Sequence, residues 1–128
     1  MTSVKELVTA ARAGIENLTP AEVAAEVDEG EVLLVDVREP GETLNGVIPT
    51  AVLAPRGMLE FYADGTASQH LAGFEPARRL IVYSASGSRS ALAAASLQDL
   101  GYRDVAHLDG GYRRWLDDGW PVLPPDVD

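Results

Sequence analysis

Two uninterrupted apolar runs set the strongest limit on what this chain can fold into. Val32-Leu33-Leu34-Val35 and Leu80-Ile81-Val82-Tyr83 place apolar side chains at every position, so an extended conformation of either run requires apolar cover on both faces. Helices above and below a sheet provide that cover, and parallel strands occur in such a setting. Elsewhere the chain alternates helix-like and strand-like stretches without internal repeats or low-complexity segments. That alternation predicts a mostly parallel α/β sheet. A length of 128 residues is the usual size of one domain around one core.

Local signals punctuate this pattern. Val4 to about Glu16 reads as an amphipathic helix. Thr19-Pro20-Ala21-Glu22 opens the next one, with Thr19 as N-cap, Pro20 at the first helical position and Glu22 completing a capping box. It stops at Gly30. Ala51-Val52-Leu53 is a short strand candidate, and Arg56 to Tyr62 a helix. Residues 63–75 read as a loop with at most a short helix. Ser88 to Leu100 is the clearest helix, Val105 to Leu108 the last strand, and Tyr112 to Asp118 a closing helix. The proline-rich end reads as a loose tail.

Composition narrows the chemistry. The chain has no cysteine and two histidines, His70 and His107, so disulfides and thiolate metal sites are excluded and the expectation is a protein without metal or cofactor. A net charge of −10 argues against nucleic-acid or anionic-membrane partners, which need basic surface. The first residues lack the apolar stretch of a secretory signal, giving a cytoplasmic expectation. A small anion would need its own positive pocket.

The loop after the second apolar run is built like such a pocket. Ala85, Ser86, Gly87 and Ser88 are small enough for the backbone to aim several N–H groups at one point. The following helix adds its positive end and Arg89 a full charge. The plainer reading is a tight strand-to-helix turn with Ser88 as N-cap and Arg89 in solvent.

The stretch from Tyr83-Ser84-Ala85-Ser86-Gly87-Ser88-Arg89 through His107-Leu108-Asp109-Gly110-Gly111 to Trp120-Pro121-Val122 closely resembles the second half of a single-domain rhodanese, a thiosulfate-type sulfurtransferase. Leu33-Leu34-Val35-Asp36-Val37-Arg38-Glu39-Pro40 resembles the family's first strand and the segment after it. Gly46-Val47-Ile48-Pro49-Thr50-Ala51 stands where the family commonly has Gly-His-Ile-Pro-Gly-Ala. The resemblance implies a five-stranded parallel sheet flanked by helices on both faces, with a helical extension over 1–18, the rhodanese-like domain over 19–122 and a loose tail over 123–128. It also implies a small anionic sulfur donor such as thiosulfate and a thiol or protein acceptor; nothing in the sequence demands a dimer, so the expectation is a monomer or weak dimer.

Ser84 departs from that family, which carries cysteine there. The family's thiolate attacks the donor's sulfane sulfur, holds it as a persulfide and passes it on. A thiol with a pKa of about 8.5 can be shifted to thiolate by a helix end and a cation. A serine hydroxyl stays protonated without a dedicated base, and an S–O bond does not store transferable sulfur. The expectation is a sulfurtransferase scaffold that is inactive as written, with an anion- or protein-binding module as the alternative. Both a natural variant and a deliberate replacement fit the intact loop around Ser84.

Other readings are weaker. A serine hydrolase would need His107 as base, and the spacing around Ser84 is not Gly-x-Ser-x-Gly. Cysteine phosphatases of similar loop design resemble Cys-x5-Arg, whereas Ser84 to Arg89 encloses four residues. Asp36 and Arg38 read as structural. Arg56 is a candidate second cation for the donor. Tyr112 and Trp115 read as core or its rim, and Trp120 as packing the C-terminal segment.

Overall fold

The computed structural model describes residues 2–125. Its centre is a five-stranded sheet in the order β1-β5-β4-β2-β3, with every pairing parallel. The strands are β1 (Glu16–Leu18), β2 (Val32–Asp36), β3 (Val52–Leu53), β4 (Arg79–Tyr83) and β5 (Val105–Leu108). The two apolar runs are β2 and β4, neighbours in register, with Leu34 opposite Ile81 and Val35 opposite Val82.

Successive side chains of a strand point to opposite faces, and the core divides accordingly. Leu33, Val35, Leu80 and Val82 meet Leu59 and Ala63 of α3 (Leu59–Ala63) and Ala93, Ala94 and Leu97 of α4 (Ser88–Asp99). Leu34, Ile81, Tyr83, Ala106 and Leu108 meet Val23 of α2 (Pro20–Glu29) and Tyr112 and Trp115 of α5 (Gly111–Asp117). Helices thus cover both faces, as two doubly buried strands require.

Thr19 caps α2 as its sequence predicts. Its Oγ1 accepts the Glu22 N–H at 3.2 Å, and the Glu22 carboxylate accepts the Thr19 N–H at 2.9 Å. Removing such a cap costs about 1 kcal/mol. Gly30 closes α2 in the left-handed region.

Several expectations need correction. The 1–18 stretch is not wholly helical: α1 (Val4–Ala13) is followed by β1, which pairs with β5 and supplies the fifth strand. The helix expected from Arg56 begins only at Leu59, after a turn closed by Met58 N–H on Pro55 C=O. The loop reading of 63–75 holds, since no helix forms within 64–78, and Phe74 from that stretch is buried in the core. The tail over 123–128 is anchored at its first residue, because Leu123 and Val47 exchange backbone hydrogen bonds of 2.8 and 2.9 Å. Its last three residues lie outside the described range. Among the described residues no helix is long and apolar enough to cross a membrane.

Candidate functional site

From β2 the chain moves outward to edge strand β3, whereas from β4 it moves the opposite way to β5. Loops leaving adjacent strands at such a reversal diverge and open a crevice. Here it is a cavity of about 490 Å³, bounded by Arg38, Glu42 and Asn45 after β2, Ala85 and Ser86 after β4, and Tyr112 and Arg113 of α5. A second hollow of about 440 Å³, between α2 and Trp115 and Trp120, is mostly apolar, with Asp28 as its one charged side chain and no cation.

Ser84 is completely buried at the head of the loop. Its Oγ accepts the N–H of Gly87 at 3.3 Å and of Ser90 at 3.1 Å. Its own hydroxyl donates to none of the described residues. The N–H groups of residues 85, 86, 88 and 89 also find no acceptor among the described residues. Two donors aimed at one buried atom, at the positive end of the 12-residue α4, form a cradle for negative charge.

Glycines on two sides hold this loop. Gly87 lies in the left-handed region (φ +104°), and a Cβ there would come within 3.3 Å of Arg12 Nη2 and of the Gly110 nitrogen. A Cβ on Gly111 would fall 2.7 Å from the Ser84 carbonyl oxygen, which no side chain tolerates. That close approach lets the Tyr112 N–H donate to Ser84 C=O at 2.8 Å and the Arg113 N–H to Ala85 C=O at 3.0 Å. The Asp109-Gly110-Gly111 turn therefore clamps the loop from below.

Gly87, not Ser88, is the N-cap of α4, and no side chain caps it in the usual way. Ser84 Oγ fulfils that role from four residues before the helix by taking the Ser90 N–H. Ser86 and Ser88 are exposed. Arg89 is not in free solvent: it grips Glu42 through two hydrogen bonds of 2.9 and 3.0 Å. Those bonds, above all, hold the Glu42 carboxyl below its usual range. Arg56 does not reach the loop, because its guanidinium is paired with Glu60 at 2.8 Å, and Glu60 also accepts from Ser96 on α4.

Asp36 and Arg38 are structural, as their sequence context suggests. Both are about 1% exposed and bonded at 2.8 Å. Arg38 also donates to Asn45 Oδ1 and to the Gly46 carbonyl, and lies 4.2 Å over the Tyr112 ring. Tyr83 donates its hydroxyl to Asp36 at 2.8 Å and accepts the Ile48 N–H. Burial, reinforced by the Asp36 charge, pushes the Tyr83 hydroxyl pKa upward. This network fixes the wall of the crevice.

Sequence reasoning missed two partners of the loop. Arg12 reaches it from α1 at Gly87, and Ser90 supplies one of the two cradle donors. His107 is completely buried and bonded to Ser90 Oγ at 2.9 Å, so it does not serve Ser84 as a base.

Comparison with known proteins agrees with the geometry. The profile of the Rhodanese-like domain matches residues 19–118. A sulfurtransferase from Allochromatium vinosum is 33% identical over 99 residues, covering 77% of this chain and 85% of that protein. A Rhodopseudomonas palustris structure, named a protein of unknown function and possible tyrosine phosphatase, superposes with a TM-score of 0.91 at 37% identity, covering 96% of each chain. A Pseudomonas aeruginosa thiosulfate sulfurtransferase superposes with a TM-score of 0.78 at 27% identity, covering 94% of this chain and 22% of that one.

Proposed function

The chain belongs to the rhodanese-like domain family, and from that premise we propose that its β4–α4 loop is a sulfane-sulfur transfer site held silent by Ser84. The observation that carries this reading is the pair of N–H donors converging on the buried Ser84 Oγ, whose own proton has no partner among the described residues. A thiolate suits that arrangement, because it accepts both bonds and has no proton to place. In the family's chemistry the thiolate attacks the outer sulfur of thiosulfate, an S–S bond forms, and sulfite leaves with the electron pair of the broken bond. A thiol, a protein cysteine or cyanide then takes the terminal sulfur.

The serine hydroxyl cannot enter that sequence. Among the described residues no base is hydrogen-bonded to it, since His107 is engaged with Ser90, and the neutral hydroxyl is a weak nucleophile. The phosphatase name of the Rhodopseudomonas relative does not transfer, because the loop between Ser84 and Arg89 is one residue shorter than the Cys-x5-Arg design.

A second reading, a module that binds anions or a partner protein without turnover, draws on one observation. Arg89 is already neutralised by Glu42, which weakens the loop's pull on a donor.

Restoring the thiol separates the two. The chain as written is expected to show no thiosulfate-to-cyanide transfer, and Ser84→Cys to show transfer together with a mass gain of one sulfur atom. Substantial transfer by the parent chain overturns its proposed silence. An inert Ser84→Cys variant that still binds thiosulfate supports the module. The codon at position 84 in the source gene distinguishes a natural serine from an introduced one.

A further inference from the structure

Behind the cradle runs a chain of hydrogen bonds, buried at Ser90 and His107, that ends at the exposed Asn17 in a strand outside the matched domain. Ser90 holds the sharper of the two donors on residue 84, at 3.1 Å. Its hydroxyl meets His107 Nδ1 at 2.9 Å, and His107 Nε2 meets Asn17 Oδ1 at 2.8 Å. The Asn17 amide nitrogen donates to two carbonyls, Arg12 C=O at 3.0 Å and Ile15 C=O at 3.1 Å. Asn17 lies in β1, before the matched residues 19–118.

The proton positions follow from this pattern. Two carbonyl partners fix which end of the Asn17 amide is nitrogen, so Oδ1 must accept from His107. Nε2 therefore carries the proton and Nδ1 presents a lone pair. The Ser90 hydroxyl donates into that lone pair rather than to Gly87 C=O at 3.1 Å, and the latter is already satisfied by the Ala91 N–H at 3.1 Å. Burial favours the neutral ring. Asp109 and Arg12 are the charged groups acting on it, with opposing effects. The line thus runs in one direction, from the Ser90 hydroxyl through His107 to Asn17 Oδ1.

We infer that Asn17, His107 and Ser90 are positioning residues that hold the first turn of α4 against the reacting atom of residue 84, so that the segment before the matched domain is a working part of the site. This inference rests on the cradle reading above. In a Ser84→Cys chain the Ser90 N–H would point at sulfur, and its placement would set how readily the thiol ionises. If Asn17 is lost, His107 loses its only fixed acceptor and is free to turn. The Ser90 hydroxyl then swings to Gly87 C=O, and the first turn loses its anchor to β5.

The test is the pH profile of iodoacetamide alkylation in the full chain, starting from Ser84→Cys, a readout that loosening of an edge strand alone would not move. Adding Asn17→Ala or Ser90→Ala is expected to shift the profile to higher pH and to slow alkylation near pH 6 by about tenfold, the factor that corresponds to one pKa unit. Unchanged profiles in folded Asn17→Ala and Ser90→Ala chains overturn the inference. If Ser84→Cys itself titrates like an ordinary exposed thiol, the cradle reading fails, and this inference fails with it.

Discussion

The backbone N–H of Ser90 points at Ser84 Oγ across 3.1 Å, so a side chain six residues earlier in the loop caps the third position of α4. Replacing Ser84 by alanine leaves that N–H and the N–H of Gly87 buried without a partner. Each unsatisfied buried donor costs about 1–3 kcal/mol. Ser84→Ala is therefore expected to lower the midpoint of a urea melt clearly, while Ser84→Cys, which keeps an acceptor, lowers it little.

Under the proposed function, Glu42 competes with the incoming sulfur donor for Arg89. Glu42→Gln keeps the oxygen that accepts the Glu39 N–H but removes the charge. The Glu42–Arg89 pair is more than a third exposed, so the stability cost is expected to be small, about 0–1 kcal/mol. In the Ser84→Cys chain the same change should raise transfer from thiosulfate severalfold, whereas Arg89→Ala should lower it. Because the Glu42 carboxyl is held below its ordinary range, the bridge's contribution is present above the unfolded carboxylate pKa. It is lost as pH falls through the lower folded value. Steady-state rates and thermal melts from pH 7 to 3 check both statements.

His107 adds an acid-side weakness. Burial pushes its pKa down to about 4, so between the unfolded value of about 6.5 and that lowered value the unfolded chain binds a proton that the folded chain refuses. Stability then falls with falling pH across that window, by about 3 kcal/mol from this residue. His107→Gln should flatten that part of the curve of unfolding free energy against pH, even if it lowers stability at pH 7.

Thr50 is the only non-glycine residue with positive φ, at 74°, among the described residues. It stands where the family commonly has glycine, and a β-branched side chain in the left-handed region costs about 1–2 kcal/mol. Thr50→Gly is expected to raise stability by about 1 kcal/mol after the entropy that glycine returns to the unfolded chain, measurable by thermal melting.

Asp36→Asn would leave Arg38 charged and buried with only neutral partners. Breaking a buried pair in this way costs about 3–5 kcal/mol. Folded Asp36→Asn protein, compared by urea melts with the parent, should show a loss of that order and a loosened crevice wall.

What the sequence disclosed, and what it concealed, follows the range of the interactions involved. The doubly buried strands β2 and β4 and the capping box of α2 were legible because their signals lie within a few consecutive residues. β1 was not: its three residues, Glu16, Asn17 and Leu18, include one buried apolar side chain, too little for a period to show. The loop after Ser84 reads from the sequence as a donor-bearing turn at residues 85–89, whereas Ser90, whose N–H reaches Ser84 Oγ, carries no local mark. Arg89 reads as free in the sequence because its partner Glu42 lies 47 positions away. The His107–Asn17 bond spans 90 positions, and only the folded sheet brings such residues together.

Edge strand β1 has a consequence for how the chain can be cut. A fragment beginning at Thr19 would satisfy the family profile, yet it would strip β5 of its outer neighbour and bare a row of unpaired N–H and C=O groups along Ala106, His107 and Leu108. An uncovered apolar strand of that kind recruits other chains. Three residues with little apolar character thus shield the sheet from association, and a shortened chain would be expected to aggregate.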